Sequence, residues 1–380
     1  MKKIYLDHSA TTPLDKRVFA AMLPYLTEEF GNPSSLHGYG RSAKVALENA
    51  REKVAQMLNS KSNEIVFTAG GSEADNLAIL GVAYSAQVRG NHFVTNRAEH
   101  HAVIHSFASL EKDGFEVTYI PCDEYGMVHP DAVAKAIRTD TALVSIMHAN
   151  NEVGTINPIQ EIGEMVKKNG ALFHVDAVQA FGKIPIDVNR MNIDLLSMSA
   201  HKLYGPKGVG GLFVRNGIKL QPQILGGSQE KGQRAGTENI AGVIGFGEAA
   251  DLCRMEMTDE SARLRSMQDR LSKAICESIP GTQLNGHPDL RLPGHLNISF
   301  DGLMGDEILM MLDLNGIAVS TGSACTSGAV TISHVLKAMG LDDNRSRGAV
   351  RMTLGRSSEE DDLLYIVDTI RNCVEKMRSA

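Results

Sequence analysis

Between residues 64 and 214 the chain alternates short apolar runs, rich in β-branched residues, with longer amphipathic stretches. Alternation of this kind is typical of an α/β layer, in which a mostly parallel sheet carries helices on both faces. Ligands of such sheets bind beyond the carboxyl ends of the strands, so we expect the functional residues there. The pattern predicts a sheet of seven strands, at 65–68, 92–95, 116–120, 142–148, 171–175, 194–199 and 210–214.

The sequence changes character after residue 226, where a glycine-rich polar loop precedes one long helical stretch at 239–279. We place a domain boundary inside that stretch, near residue 255. Residues 16–255 are predicted to form a large domain, and residues 1–15 and 256–380 a smaller α+β domain. In the smaller domain the pattern predicts strands at 295–300, 318–320 and 350–354, helices at 306–315 and 332–339, and a final helix with Ser358 as its N-cap.

The composition is that of an ordinary globular protein, with 43% hydrophobic and 22% charged residues in a chain of 380. The formal net charge is −7 and the basic residues are scattered, so we expect no binding to nucleic acid or to an anionic membrane. No apolar run approaches the ~18 residues that a membrane span requires. Five cysteines without a C-x-x-C pair indicate free thiols in a reducing compartment, and we expect a cytoplasmic protein.

An apolar run ends in Ser199-Ala-His-Lys202, which predicts polar groups at the end of a buried strand. A desolvated lysine is the nucleophile of Schiff-base chemistry, although Lys202 could also reach the surface from a strand end. Asp176 ends another apolar run, 26 residues earlier. At the shared edge of a parallel sheet its carboxylate could face a protonated heterocyclic nitrogen, or it could cap a helix.

Two further segments fall at predicted strand ends. Thr68-Ala-Gly-Gly-Ser72 joins a strand to a helix N-terminus, which suits a phosphate but is also compatible with an ordinary capped helix. The histidines at 100, 101 and 105 lack an H-E-x-x-H pattern and a nearby thiol pair, so we expect no zinc site. An imidazole in a cleft could instead stack on an aromatic ligand or move protons.

A separate segment, from Ser320 to Gly328, surrounds Cys325 with small and hydroxyl residues. This composition predicts an exposed loop with an accessible thiol, and therefore a candidate nucleophile. Cys253, Cys276 and Cys373 fall within helical patterns, where a thiol is usually inert.

Together these segments resemble the cysteine desulfurases of the NifS and IscS type, which are pyridoxal 5'-phosphate (PLP) enzymes of aminotransferase fold type I. The resemblance runs nearly end to end, through Tyr5-Leu-Asp-His-Ser-Ala-Thr-Thr-Pro13, Asn32-Pro-Ser-Ser-Leu-His37, Ser199-Ala-His-Lys202 and Gly322-Ser-Ala-Cys-Thr-Ser327. It implies that the enzyme removes sulfur from L-cysteine and releases L-alanine. It also implies a persulfide on Cys325 that passes to an acceptor, for iron–sulfur cluster assembly or for thiolation of tRNA or a cofactor.

The resemblance also assigns roles to single residues. Lys202 would bind PLP covalently and later carry protons, and Cys325 would accept the sulfur. The chain would have no metal of its own, although Cys325 could transiently share an iron–sulfur cluster with a scaffold protein. The PLP ring would contact His100, Asn151, Asp176 and Gln179. The phosphate would contact Gly71, Ser72, Ser199 and His201, and also Thr237 from the other subunit of a homodimer. The substrate would contact Asn32, Asn151 and Arg351.

Two alternatives stay open from the sequence. The first is a related enzyme, such as a selenocysteine lyase or another PLP lyase or aminotransferase, which would not need the Cys325 nucleophile. The second is a non-catalytic platform in a sulfur-transfer assembly, against which the joint presence of Lys202, Asp176 and Cys325 argues.

Overall fold

The computed structural model describes residues 2–87, 90–322 and 332–379 of the chain. Its strands are β1 (Ile4–Tyr5), β2 (Ile65–Thr68), β3 (His92–Asn96), β4 (Glu116–Ile120), β5 (Thr141–Ser145), β6 (Leu172–Asp176), β7 (Leu195–Ser199), β8 (Gly210–Val214), β9 (Thr282–Leu284), β10 (His295–Phe300), β11 (Ile317–Ala318) and β12 (Ala349–Thr353). Its α-helices are α1 (Lys16–Thr27), α2 (Gly38–Met57), α3 (Gly71–Ala83), α4 (His101–Lys112), α5 (Pro130–Ala136), α6 (Ile159–Asn169), α7 (Ile240–Ser278), α8 (Gly305–Leu314), α9 (His334–Ala338), α10 (Asp343–Arg347) and α11 (Asp362–Arg378).

The predicted α/β layer is confirmed as a seven-stranded sheet in the order β2-β8-β7-β6-β5-β3-β4. Strands β4, β3, β5, β6 and β7 are parallel to one another, whereas β8 is antiparallel to both β7 and β2. Because two antiparallel steps restore direction, β2 runs the same way as β7. The carboxyl ends of β2, β6 and β7 therefore lie on one edge of the sheet.

Helices cover both faces of this sheet, because successive side chains of each strand point to opposite faces. In β8, for example, Phe213 packs with α2 and α7 on one face, whereas Leu212 and Val214 pack with α3 and α4 on the other. Both faces of the sheet bury mainly apolar side chains, which specifies the register of the strands.

A separate apolar core lies around the three-stranded antiparallel sheet β12-β10-β9, with Ile4 and Leu6 from the N-terminus packed into it. Helix α7 has 39 residues and joins the large sheet to the small one: residues up to Cys253 pack on the large sheet, and residues from Leu264 pack on the small one. The division into a large domain at 16–255 and a small domain at 1–15 and 256–380 stays a prediction.

Three local predictions differ from the structure. Ser358 is not the N-cap of α11, because its hydroxyl accepts the Gly355 N–H at 3.0 Å, and the helix begins only after Asp361. Strand β5 ends at Ser145, three residues before the predicted end, although the N–H groups of Ile146 and His148 still donate to carbonyl oxygens of β6. The strand predicted at 318–320 is β11, which pairs with β1 and ends at Ala318.

In the part of the chain that the structure describes, no helix combines the length and the apolar character that crossing a lipid bilayer would take.

Candidate active site

A cavity of about 260 Å³ opens at the carboxyl edge of the large sheet, beyond the ends of β6 and β7 and the N-terminus of α3. It is lined by ten of the side chains or glycines predicted from the sequence: Gly71, Ser72, His100, Asn151, Asp176, Gln179, Ser199, His201, Lys202 and Arg351. These residues are up to 280 positions apart in the chain (351 minus 71), so the fold brings them together.

One end of the cavity is formed by backbone N–H groups and hydroxyls. Helix α3 begins at Gly71, and its first N–H groups have no partner within the helix. Ser72 follows in the first turn, and Ser199 ends the neighbouring strand β7. A Cβ atom on Gly71 would lie 2.6 Å from Cγ2 of Val178, so only glycine allows the helix to start this close to the wall. This end can bind an anion.

Acidic side chains line the cavity where β6 ends. Asp176 and Asp75 are both buried, and Asp75 Oδ1 has no hydrogen-bond partner among the described residues. Burial raises the pKa of both carboxyls above the ordinary value, and for Asp75 the charge of Asp176 adds to it. The Val178 N–H, 2.9 Å from Asp176 Oδ1, and the nearby Lys202 act in the opposite direction. A cationic group beside Asp176 would hold it ionised.

Lys202 follows β7 in a single 3-10 turn, Ala200–Lys202, and its amine turns into the cavity. Nζ donates to the carbonyl oxygens of Ser9 at 2.5 Å and of Ala10 at 2.8 Å. The Ser9 carbonyl also accepts Nε2 of Gln179 at 2.9 Å. The N-terminal segment therefore supplies backbone acceptors that orient both side chains.

Two histidines flank the cavity as neutral rings. Burial, and after it the charge of Lys202, lowers the pKa of both His100 and His201 to about 4. Nδ1 of His100 accepts the N–H of Ala102 at 3.1 Å as the N-cap of α4, so the proton of the neutral ring is on Nε2. Nδ1 of His201 is 3.1 Å from the Thr11 hydroxyl.

Arg351 closes the cavity from the small sheet. Its Nη2 donates to Asp7 at 2.8 Å and its Nη1 to the Asn151 carbonyl at 3.1 Å. Nε of Arg351 and Oδ1 of Asn151 are buried and have no partner in the described part of the chain. A buried donor and acceptor left open in this way can bind the carboxylate and amine of a small amino acid.

Three predicted site residues lie elsewhere. Thr237 lines a separate cleft of about 140 Å³ beside Arg234. Asn32 is exposed, and its side chain accepts the Ser34 N–H at 2.9 Å. Cys325 lies outside the described residues.

The structure adds wall residues that the sequence analysis did not select: Ser9, Ala10, Asp75, Met147, Val178 and Gly322. For Asp75 a signal existed, because it lies one helical turn after Gly71 and therefore on the same face of α3. For Ser9 and Ala10 the contact is made by the backbone, which the sequence pattern does not reveal.

The aminotransferase class-V family model matches residues 4–366. Cysteine desulfurase IscS of Dictyoglomus turgidum is 50% identical, over 100% of this chain and 96% of that protein. A solved NifS-like protein superposes with a TM-score of 0.93 at 36% identity, over 98% of this chain and 100% of that one. The structure entitled SspA in complex with cysteine gives a TM-score of 0.83 at 38% identity, over 93% and 99% of the two chains.

These matches confirm the resemblance and the fold predicted from the sequence. The matched ranges extend over nearly the whole chain and therefore cover the segments that build the cavity. The chain therefore belongs to the class-V aminotransferase family and, within it, to the cysteine desulfurases.

Proposed function

We propose that this chain binds PLP at Lys202 and uses it to transfer sulfur from L-cysteine to Cys325, with release of L-alanine. The observation that carries the proposal is the cavity in which Lys202 lies between an anion-binding helix start and a buried carboxylate. The structure entitled SspA in complex with cysteine supports the choice of substrate.

The residues of the cavity fit PLP. The start of α3 with Ser72, Ser199 and His201 would hold the phosphate, and the missing Cβ of Gly71 leaves room for it. Asp176 would pair with the ring nitrogen. When bound, PLP supplies an electron sink for the electrons of the substrate Cα–H bond.

The side chains around the ring would orient it and move protons. The neutral ring of His100 would stack on it, and its Nε2–H would be a donor towards the substrate side. Gln179 and Asn151 would donate to the ring hydroxyl, and Nζ of Lys202 would take up and return the substrate proton.

Arg351 and Asn151 would bind the substrate carboxylate, Arg351 through its open Nε. Asp7 holds the guanidinium in place through Nη2. Asn32 is included in the proposed substrate contacts, although in this chain its side chain is bound to the loop at Ser34.

In the sulfur step the Cys325 thiolate attacks the sulfur of the substrate. The new S–S bond forms as the substrate C–S bond breaks, its electron pair stays on the carbon, and a proton taken up there gives alanine. The sulfur reaches Cys325 as a persulfide, so the step needs no external oxidant. We propose that an acceptor protein, such as an iron–sulfur scaffold or a protein of tRNA thiolation, then takes this sulfur.

We further propose a homodimer in which Thr237 of each subunit contacts the phosphate bound by the other. In its own subunit Thr237 lines a different cleft from the one that holds Lys202, which supports a role across an interface. A cytoplasmic location stays a prediction of the sequence.

The test is a reaction of the PLP-loaded protein with L-cysteine, with alanine and sulfide measured and the persulfide mapped by mass spectrometry. Alanine formation with a persulfide on Cys325 is expected, and C325A should lose both. Unchanged alanine formation in C325A would favour a related lyase or aminotransferase. A protein that gains no visible absorbance with PLP would favour the non-catalytic platform.

A further inference from the structure

Lys183 is a second lysine next to the cavity, and the proposed mechanism gives it no role. It lies in the turn after β6, where Gly182 has a φ of +80°, and its carbonyl accepts the Ser261 hydroxyl of α7 at 2.9 Å. With Lys202 and Cys253 it lines a small cavity of about 30 Å³ behind the main one. Its side chain is therefore directed towards the site from a fixed backbone.

Lys183 is connected to Lys202 by a chain of hydrogen bonds. Nζ of Lys183 donates to Oε1 of Gln179 at 3.1 Å, and Nε2 of Gln179 donates to the Ser9 carbonyl at 2.9 Å. The same carbonyl accepts Nζ of Lys202 at 2.5 Å. Lys183 and Lys202 are thus linked through the Gln179 amide and the Ser9 carbonyl.

This chain fixes the orientation of the Gln179 amide. An ammonium has donors and no acceptor, so it can be satisfied only by Oε1. If the amide were reversed, its N–H groups would face the ammonium of Lys183. With Oε1 held by Lys183, Nε2 faces Ser9 and keeps a second hydrogen for a ligand in the cavity.

The groups around Lys183 make it sensitive to charge. Burial lowers the pKa of Lys183 to about 7, and the nearby charges of Lys202 and Arg351 lower it further in the same direction. Cys253 and Glu260 act the other way by smaller amounts. The remaining titratable groups that face it are the histidines His8, His201 and His295, whose pKa values Lys183 in turn lowers.

We propose that Lys183 is a positioning residue for the cofactor site: it fixes the Gln179 amide with Nε2 towards the ring hydroxyl, and its ammonium group acts electrostatically on Lys202. The inference rests on the proposed function for the identity of the ring, but its effect on Lys202 does not require PLP. Interactions between like charges are reciprocal, so removing the charge at 183 must change Lys202 as well.

The test compares the wild type with K183M, K183Q and K183R, and with K168M as a control for an exposed lysine of α6. In the protein without PLP, trace labelling with acetic anhydride and mass spectrometry gives the pH midpoint of Lys202 reactivity. In the PLP-loaded protein, the visible absorbance gives the pH midpoint of the bound cofactor, and borohydride reduction confirms attachment at Lys202.

We expect both midpoints to rise by up to about 1 pH unit in K183M, because the substitution removes a like charge that acts on Lys202 while Lys183 is protonated. K183R should restore both, and K168M should change neither. K183Q keeps a donor for Gln179 without the charge, so it should show the Lys202 shift and replaces K183M if that protein does not fold.

Wild-type midpoints in both K183M and K183Q, in proteins that bind PLP at Lys202, would overturn the role of Lys183. A wild-type protein that shows no absorbance and no attachment at Lys202 would instead overturn the proposed function. In that case the labelling experiment without PLP still measures how the charge at position 183 affects Lys202.

Discussion

Glu152 offers a quantitative test of the fold next to the site. Its carboxyl is buried, Oε2 accepts the Ser333 hydroxyl, and a Cβ atom on Gly322 would clash with the same oxygen. Its carbonyl also accepts Nε2 of His295 at 3.0 Å and Nδ2 of Asn297 at 2.9 Å. Burial raises the pKa of Glu152 from 4.5 to about 7, although the Ser333 hydroxyl and the charge of Arg351 lower it.

The sign of the pH effect follows from this shift. Below about pH 4.5 Glu152 is protonated in both the folded and the unfolded protein, and its titration contributes nothing. Between 4.5 and about 7 the folded protein keeps a proton that the unfolded chain has lost, so stability falls as pH rises. Above that range the full cost is present. At about 1.4 kcal/mol per unit of pKa shift, the loss of folding free energy caused by the raised pKa of Glu152 amounts to about 3 kcal/mol.

We therefore expect the free energy of unfolding of E152Q, relative to the wild type, to rise by about 2 to 3 kcal/mol between pH 5 and pH 8. Urea titrations of the protein without PLP at several pH values measure this difference. Any constant cost of packing the glutamine cancels, because only the change with pH is compared. E161Q, which removes an exposed carboxylate of α6, is the matched control and should give a flat difference. Parallel pH curves for the wild type and E152Q would refute the reasoning.

Three further predictions concern stability, cofactor and substrate. Arg51 makes two hydrogen bonds to the buried carboxylate of Glu230, at 2.6 and 2.8 Å, so R51M should lose about 3–5 kcal/mol in urea unfolding because it leaves that charge unpaired. G71V should weaken PLP binding in an absorbance titration by roughly tenfold or more, because even its Cβ would lie 2.6 Å from Val178; wild-type affinity would contradict the proposed phosphate site. R351K should raise KM for L-cysteine by roughly 10- to 100-fold with the absorbance of bound PLP unchanged, since lysine cannot make the paired contact; an unchanged KM would remove Arg351 from the substrate site.

The sheet and its functional edge were predictable from the sequence because they depend on local patterns. Each parallel strand is a short apolar run, and the polar residue that ends it has to lie at the shared edge. Asp176 and Ser199 are such residues, and both line the cavity. The helix start at Gly71 was predictable for the same reason.

The contacts that orient these residues were not predictable. Lys202 binds backbone carbonyls of Ser9 and Ala10, which are 193 and 192 residues away and carry no side-chain signal. Lys183 contacts Gln179 from a turn, where its spacing of four residues does not stand out as helical periodicity. The N-cap of α11 was predicted at the wrong residue because the Ser358 hydroxyl, which could cap a helix, instead accepts the N–H of Gly355.

The charges along the cavity also restrict how a ligand can enter. The anion-binding start of α3 and the buried carboxylates of Asp75 and Asp176 are walls of the same cavity, and Lys202 is on that wall too. A ligand that carries a phosphate and a basic ring nitrogen is favoured in one orientation, because the N–H groups at the start of α3 attract the phosphate while the ring nitrogen can pair with Asp176. The substrate carboxylate then has its partner in Arg351, whose Nε has no hydrogen-bond partner among the described residues and whose Nη2 is held by Asp7. The placement of charged groups in the cavity is thus sufficient to select the orientation of the ligand.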